Sequence, residues 1–268
     1  MKIADIDLDI FLDDVSSFDR RPRAPSTTLP WNEAKLRHFL EDRCGLKLDP
    51  SAKRPKGRFI VRHDEAFPLL NSLSQNGEVR LNLVHIDAHS DLGTGLGDLS
   101  WQDIGGRLLG LPPKERAGAI PQRGMERISP ANYLSYALAC RWLRSLVYVH
   151  HAKSGDDLMP FFFRDFDLGC GIMELRYVPS LHSVHSKEEL RALPHTLEPT
   201  VQFQKIEIED YWAAEPFDYV ILCQSPGYTP VEADILLPVF RDYVDFENDE
   251  SEDFLGLSPL ACSKGKSL

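Results

Sequence analysis

The sequence has few of the features that mark a secreted, disulfide-linked or membrane-spanning protein. Its five cysteines are scattered and odd in number, and they form no C-x-x-C pair. Neither a disulfide framework nor a thiolate zinc site is therefore expected. No apolar run reaches the length of about 18 residues that a membrane-spanning helix requires. The first residues include acids rather than the basic stretch of a secretory signal, so we expect a cytoplasmic protein.

Basic residues are also in the minority. The chain carries 30 Lys and Arg residues against 41 Asp and Glu residues, which gives a formal net charge of -11. This charge opposes binding to nucleic acid and to anionic membranes, so we expect no nucleic-acid partner and no membrane partner. A cationic substrate is favoured electrostatically.

The length of 268 residues suits one large domain that spans residues 1–268. Short apolar runs predict strands at Lys2–Asp7, Arg58–Arg62, Val79–Ile86, Leu146–His150, Glu174–Val178, Val201–Ile208 and Asp218–Cys223. Helical spacing predicts helices at Trp31–Arg43, Glu65–Asn76, Pro130–Leu143, Lys187–Leu193 and Val231–Val244, and the Gly- and Pro-rich segment Gly105–Gly124 is expected to be irregular. Strands that alternate with helices predict an α/β fold with a mainly parallel sheet.

The most informative segment follows the predicted strand Val79–Ile86. It holds Asp87, His89 and Asp91 at alternate positions. A strand directs residues i, i+2 and i+4 to one face, so three possible metal ligands leave a buried strand together. Two carboxylates and an imidazole suit a divalent cation such as Mn²⁺, Fe²⁺ or Zn²⁺.

Two further segments offer ligands at strand ends. Asp5, Asp7 and Asp9 alternate with apolar residues at the N-terminus, and His63 follows the apolar run at Phe59–Val61. An exposed amphipathic strand is the alternative interpretation of the N-terminal pattern. The carboxyl ends of parallel strands converge at one sheet edge, which is where open α/β folds bind ligands. The glycine-rich loop Gly93–Gly97, directly after Asp91, is a candidate for contacting a substrate there.

These segments resemble the metal-binding motifs of arginases and related ureohydrolases. Asp87-Ala88-His89-Ser90-Asp91 resembles their D-A-H-x-D motif, Asp5-Ile6-Asp7 their D-x-D motif, and His63 their first ligand histidine. The resemblance implies two manganese ions held by six residues: Asp5, Asp7, His63, Asp87, His89 and Asp91. In that pattern Asp5 and Asp87 bridge both ions, which makes Asp87 a catalytic residue.

A closer resemblance extends to His63-Asp64-Glu65, the segment Asp5–Phe11 and the segment Ser225–Pro230. Together these are similar to an arginase-like family that includes peptide arginases, which convert arginine side chains of ribosomally made precursor peptides into ornithine. The resemblance implies a three-layer α/β/α sandwich of the arginase type. It also implies a metal-dependent C–N hydrolase whose partner is an arginine-containing precursor peptide.

The chain departs from ordinary arginases in three respects. The D-x-D pair precedes D-A-H-x-D instead of following it, which indicates a circular permutation. The loop that grips the carboxylate and amine of free arginine, together with its shuttle histidine, is missing from Gly93–Trp101, which favours an arginine within a peptide. The guanidinium-binding glutamate of arginases falls near Gln224 or Ser225, where no acid stands.

Other residues are therefore candidates for the missing roles. Glu65 and Asp9 are the candidates for binding the guanidinium, and Glu65 is also a candidate catalytic residue. His150 is the candidate proton shuttle and the third candidate catalytic residue, after Asp87 and Glu65. The alternatives are a helix-terminal acid for Glu65, a turn cap for Asp9 and a loop histidine for His150. His85 is expected to orient a ligand from behind.

Two other functions remain open at this point. One is a metal-dependent hydrolase on the same scaffold that acts on a small guanidine or an acylated amine. The other is a binding module without enzymatic activity, which the presence of a whole ligand set disfavours.

Overall fold

A computed structural model describes residues 1–15, 28–48, 53–93, 98–124, 126–155, 157–179, 181 and 186–247. Its centre is an eight-stranded sheet in the order β10-β2-β9-β1-β3-β4-β8-β5. The strands are β1 (Lys2–Asp7), β2 (Lys56–Ile60), β3 (Leu81–Ile86), β4 (Leu143–His150), β5 (Ile172–Met173), β6 (Arg176–Tyr177), β7 (Thr196–Leu197), β8 (Val201–Glu207), β9 (Tyr219–Cys223) and β10 (Asp245–Phe246). All neighbours in the large sheet are parallel except β5 and β8, while β6 and β7 form a separate antiparallel pair. The predicted α/β class with a mainly parallel sheet is confirmed.

The helices are short and lie between the strands in the chain. They are α1 (Glu33–His38), α2 (Ala66–Leu73), α3 (Ser100–Gly106), α4 (Pro113–Ala119), α5 (Tyr133–Ala139), α6 (Lys187–Ala192) and α7 (Leu237–Phe240). Tighter 3-10 turns occupy Leu8–Phe11, His63–Glu65, Leu108–Gly110, Pro160–Phe162, Arg164–Phe166 and Val231–Leu236, and a π-type turn occupies Phe39–Arg43. Among the described residues, none of the helices combines the length and the apolar character that crossing a bilayer demands.

Hydrophobic residues cover both faces of the sheet. Successive residues of a strand point to opposite faces, and β1 accordingly sends Ile3 into one buried cluster and Ala4 and Ile6 into another. The first cluster contains apolar residues of α2, α3 and α5, and the second contains those of α1 and α7. Helical residues thus pack on each face of the sheet, an arrangement compatible with a three-layer sandwich.

The first strand of the chain lies inside the sheet. β1 pairs with β9 on one side and with β3 on the other, and Asp5 lies directly opposite His85 in the register with β3. An N-terminal strand in this position is buried on both faces, and every residue from Ile3 to Asp7 is buried. The carboxyl ends of β2, β9, β1, β3 and β4 therefore meet along one edge.

Several elements differ from the sequence-based expectation, and two of the differences have a clear physical reason. The predicted helix Val231–Val244 is a 3-10 turn followed by the short helix α7. Pro238 stands in the first turn of α7, where its missing N–H is harmless, but a continuous helix would need that N–H. The segment Gly105–Gly124, expected to be irregular, contains α4, which begins at Pro113 with the extended Pro112 as its N-cap.

Candidate metal centre at the carboxyl edge

Acidic and histidine side chains from three strand ends meet around one cavity at the carboxyl edge of the sheet. They come from the end of β1 with the 3-10 turn that follows it, from the turn after β3 and from the 3-10 turn after β2. The cavity has a volume of about 260 Å³. Its lining includes Asp157 and six other Asp and His residues: Asp7, Asp9, His63, Asp87, His89 and Asp91. Five of the six predicted metal ligands are in this lining, and only Asp5 is not.

Three carboxylates converge on one nitrogen of His63. Its Nδ1 lies 3.0 Å from Asp7 Oδ2, 3.0 Å from Asp87 Oδ2 and 3.1 Å from Asp91 Oδ2. One ring nitrogen carries at most one hydrogen, so it cannot satisfy three oxygens. The Oδ2 atoms of Asp87 and Asp91 are in fact buried without a hydrogen-bond partner. Buried carboxylate oxygens that face one another in this way fit a cation between them.

A second group of ligand atoms lies beside the first and shares Asp87 with it. Asp9 Oδ2 lies 2.9 Å from His89 Nδ1, and Asp87 Oδ1 lies 3.7 Å from the same nitrogen. The backbone holds both carboxylates in place, because the N–H of Ala88 donates to Asp9 Oδ1 and that of His89 to Asp87 Oδ1. Asp87 thus directs one oxygen towards each group, as a residue that bridges two ions must.

Asp5 lies behind the cavity and does not line it. Its Oδ1 is 3.1 Å from His63 Nε2, its Oδ2 is 3.2 Å from His85 Nδ1, and the Tyr133 hydroxyl donates to the same Oδ2. The parallel register explains the depth, because Asp5 pairs with His85, two residues before Asp87 on the same face. His85 contacts the outer ligands as well, with Nε2 3.0 Å from the carbonyl oxygen of His89.

Four groups of three side chains bring ligand atoms within 4.8 Å of one another in the described part of the chain. They are Asp5-His63-His85, Asp7-His63-Cys223, Asp9-Asp87-His89 and His63-Asp87-Asp91. Buried Asp and His residues capable of holding metal ions are therefore present. Burial, with the charge of Asp7, raises the pKa of the Cys223 thiol well above its usual value, which favours the protonated thiol over the thiolate that binds metals.

The crowding of charge shows in the pKa values of the cluster. Burial, followed by the charge of Asp87, raises the pKa of the Asp91 carboxyl to about 7. Burial alone would lower the pKa of His85, but the carboxylates of Asp87 and Asp5 outweigh it and raise that pKa to about 9. Burial opposes ionisation of Asp5 too, yet the neighbouring His63 and His85 hold its pKa well below the usual value. Protons compensate in part for the negative charge that a bound cation would balance.

The structure does not bring two of the predicted catalytic residues into the cavity. Glu65 is exposed, and its side chain accepts a hydrogen bond of 2.8 Å from the backbone N–H of Arg62. It therefore acts at the start of a helical turn, which was its alternative interpretation. His150 does not line the cavity, and its Nδ1 lies 3.0 Å from the carbonyl oxygen of His151. Of the predicted substrate loop Gly93–Gly97, residues 94–97 lie outside the described residues.

Sequence reasoning missed three polar residues of the site. Ser225 donates to Asp7 Oδ2, and Tyr133 reaches Asp5 from α5. Asp157, from the loop after β4, lines the cavity and accepts a hydrogen bond of 2.5 Å from the backbone N–H of Ser90. An acid shortly after a predicted parallel strand is a usable signal for Asp157, since such loops lie at the binding edge. Nothing local in the sequence indicates Tyr133.

Comparison with models of protein families gives no match to this chain, and comparison with curated protein sequences gives none either.

Proposed function

We propose that the protein is a binuclear manganese hydrolase that removes urea from arginine side chains of a peptide and leaves ornithine. The observation that carries the proposal is the convergence of Asp7, Asp87 and Asp91 on His63, with buried carboxylate oxygens that lack hydrogen bonds. Charges arranged in this way fit a cation much better than they fit one another. The cavity lies at the carboxyl edge of a parallel sheet, where α/β enzymes act.

The proposed ligands are Asp7, Asp9, His63, Asp87, His89 and Asp91. The D-x-D pair is then Asp7-Leu8-Asp9, one step later than the pair inferred from the sequence. Asp9 replaces Asp5 because Asp9 lines the cavity and approaches His89, whereas both oxygens of Asp5 face His63, His85 and Tyr133. Asp9 is thereby removed from the candidates for guanidinium binding. Carboxylates and imidazoles together suit Mn²⁺, though related divalent ions share this preference.

The arginase-type sandwich and its circular permutation are part of the proposal. They are supported by the position of β1, which opens the chain yet lies between β9 and β3 in the sheet. Asp7 and Asp9 at the end of β1 thus lie beside Asp87 at the end of β3. Only spatial convergence matters for ion binding, so the order of the motifs along the chain is free to change.

Each part of the site has a proposed task in the reaction. Two divalent ions in such a site lower the pKa of water, so that hydroxide is available near neutral pH. Asp5 holds the His63 ring through Nε2 and so leaves Nδ1 directed at the cavity. Ser225 orients Asp7 in the same way through its hydroxyl. In the overall reaction the oxygen of water becomes the carbonyl oxygen of urea, and the side-chain nitrogen leaves as the amine of ornithine.

A second cavity favours a peptide over the free amino acid as substrate. This cavity has a volume of about 300 Å³ and adjoins the first, since His63, Pro130, Ser225 and Tyr228 line both. Its other walls are formed by Val61, Arg62, Pro226 and Gly227. A bound arginine side chain that occupies the first cavity has room beside it for a neighbouring residue. The excess of acidic residues over the whole chain attracts basic peptides.

The test is incubation of manganese-loaded protein with a peptide that contains one arginine, followed by mass spectrometry and a urea assay. We expect a mass loss equal to CN₂H₂ and one urea per arginine. A matched lysine peptide has no guanidinium carbon and should remain unchanged, and free arginine should react far more slowly. Asp87→Asn is the inactive control. Hydrolysis of an acylated lysine peptide without any urea from arginine would instead assign the site to deacylation.

A further inference from the structure

One acidic residue of the cavity wall stands apart from the proposed ligands. Among the described residues that line the cavity, Asp157 is the only charged side chain outside the six Asp and His residues assigned to the metals. It comes from the loop that follows β4, on the side of β3 opposite β1. A charged group that is not needed to hold the ions is available for a substrate.

The two oxygens of this carboxylate differ in their surroundings. Oδ2 accepts a hydrogen bond from the backbone N–H of Ser90 at 2.5 Å, and the Tyr148 hydroxyl lies 3.5 Å away from it. Oδ1 is buried and has no hydrogen-bond partner. Two further bonds tie the loop to the same turn, because Ser90 Oγ donates to the carbonyl of Asp157 and Ser154 Oγ to that of Ala88. The carboxylate is therefore held firmly, with one oxygen still lacking a donor.

A buried carboxylate oxygen without a donor is costly, and a guanidinium supplies what it lacks. The guanidinium is planar, carries five N–H donors and forms charge-assisted hydrogen bonds with carboxylates. The other candidates for this pairing are already engaged, since Glu65 accepts from the backbone of Arg62 and Asp9 approaches His89.

We propose that Asp157 is the residue that pairs with the guanidinium of the substrate and so selects arginine. This assignment rests on the proposed function of the site and specifies its substrate contact. It also explains how the site works without an acid at Gln224 or Ser225. The alternative is a purely structural task, in which Asp157 only anchors the turn at Ser90.

Asp157→Asn separates the two roles, because the amide retains an oxygen for the Ser90 N–H but loses the charge. Asp14→Asn is the matched control, since Asp14 carries the same charge on an exposed side chain and does not line the cavity. With manganese-loaded protein and the arginine peptide, we expect Asp157→Asn to lower kcat/KM by about 100-fold, as breaking a buried charge pair does. Manganese content and Tm should stay at wild-type values, and Asp14→Asn should behave as wild type.

Two kinetic results for Asp157→Asn would overturn the assignment. Wild-type kcat/KM in Asp157→Asn overturns it, and so does an activity loss that merely follows a loss of manganese. If the wild-type protein releases no urea, the proposed function fails. The role of Asp157 is then tested by peptide binding. Manganese-loaded wild type should bind the arginine peptide more tightly than the matched neutral citrulline peptide, and Asp157→Asn should remove that difference. Equal binding of both peptides by wild type overturns the assignment.

Discussion

Asp5 Oδ1 lies 3.1 Å from His63 Nε2, on the side of the ring away from the Nδ1 that faces the cavity. Both residues are fully buried. A histidine that binds a metal through one nitrogen usually holds its orientation through the other, and a carboxylate is a common partner for this. Asp5 therefore supports a ligand of the proposed centre instead of being one.

Because Asp9 is a proposed ligand and Asp5 only orients one, substitutions at the two positions should have different outcomes. Asp9→Asn should remove a ligand from the group around His89, and the manganese content should fall from two ions per chain towards one. Asp5→Asn should retain both ions, but with affinity lowered by roughly 10–100-fold, because His63 loses its support. Elemental analysis gives the content, and titration calorimetry with Mn²⁺ gives the affinities.

Asp13→Asn is the control for these substitutions, since Asp13 is an exposed acid of the same segment. It should leave both content and affinity unchanged. If Asp5→Asn instead lost an ion while Asp9→Asn kept both, the ligand set inferred from the sequence would be right.

The sequence pattern could locate this site but could not choose the register of its ligands. Asp5, Asp7 and Asp9 alternate perfectly, so any two neighbours fit a D-x-D pair. The strand ends at Asp7, however, and the chain turns into a 3-10 turn at Leu8–Phe11, so strand alternation no longer governs the direction of Asp9. The depth of Asp5 follows from its pairing with His85, a tertiary property that no local pattern contains.

The fold was predictable to a similar degree. The inner strands contain short apolar runs, and β1, in which acidic and apolar residues alternate, was predicted with its observed bounds at Lys2–Asp7. The sequence could not show that Glu65 lies outside the cavity and so does not reach a guanidinium there. Glu65 satisfies a backbone N–H at the start of the turn, and sequence spacing alone cannot separate this use from a place in the cavity.

The N-terminal strand should be indispensable for the folded state. Deletion of residues 1–8 removes β1 from between β9 and β3 and takes Asp5 and Asp7 with it. We expect loss of cooperative unfolding in circular dichroism, since two strand ladders and a buried apolar surface disappear together. Met1→Ser, at a partly exposed side chain, should preserve the transition. A truncated protein that still unfolds cooperatively and binds manganese would contradict both the topology and the proposed ligands.

Asp91→Asn should have opposite effects on the metal-free and the manganese-loaded protein. Asp91 Oδ2 is buried without a hydrogen bond and faces the same His63 nitrogen as Asp87 Oδ2. Asp91 is mostly ionised only above its pKa of about 7. Above that pH and without a cation, removing its charge should stabilise the fold by about 1 kcal/mol and raise Tm by roughly 2 °C. Mn²⁺ should raise the Tm of the wild type, because a ligand that binds the folded state stabilises it. The same concentration of Mn²⁺ should raise the Tm of Asp91→Asn by less. Scanning calorimetry with EDTA and with Mn²⁺ measures both effects, and a metal-free variant less stable than wild type would refute the crowding argument.

A buried ion pair that does not line the cavity should contribute strongly to stability. Glu198 lies within 2.9 Å of Arg116, whose side chain is 2% exposed, and also pairs with Arg141. Burial alone would raise the pKa of Glu198, but hydrogen bonds from both arginines hold that pKa below its ordinary value. This stabilisation is therefore present above the unfolded-state pKa and is lost as the pH falls through the lower folded-state pKa. Glu198→Gln should cost about 3 kcal/mol at pH 7 in urea denaturation, because Arg116 keeps its buried charge. The difference in unfolding free energy between Glu198→Gln and wild type should shrink in acid. The control is Glu78→Gln, because Glu78 forms an exposed pair with Lys114 at 3.9 Å. This substitution should lower the free energy of unfolding by less than about 0.5 kcal/mol. Equal losses of stability in the two variants would argue against a stabilising role for the buried pair.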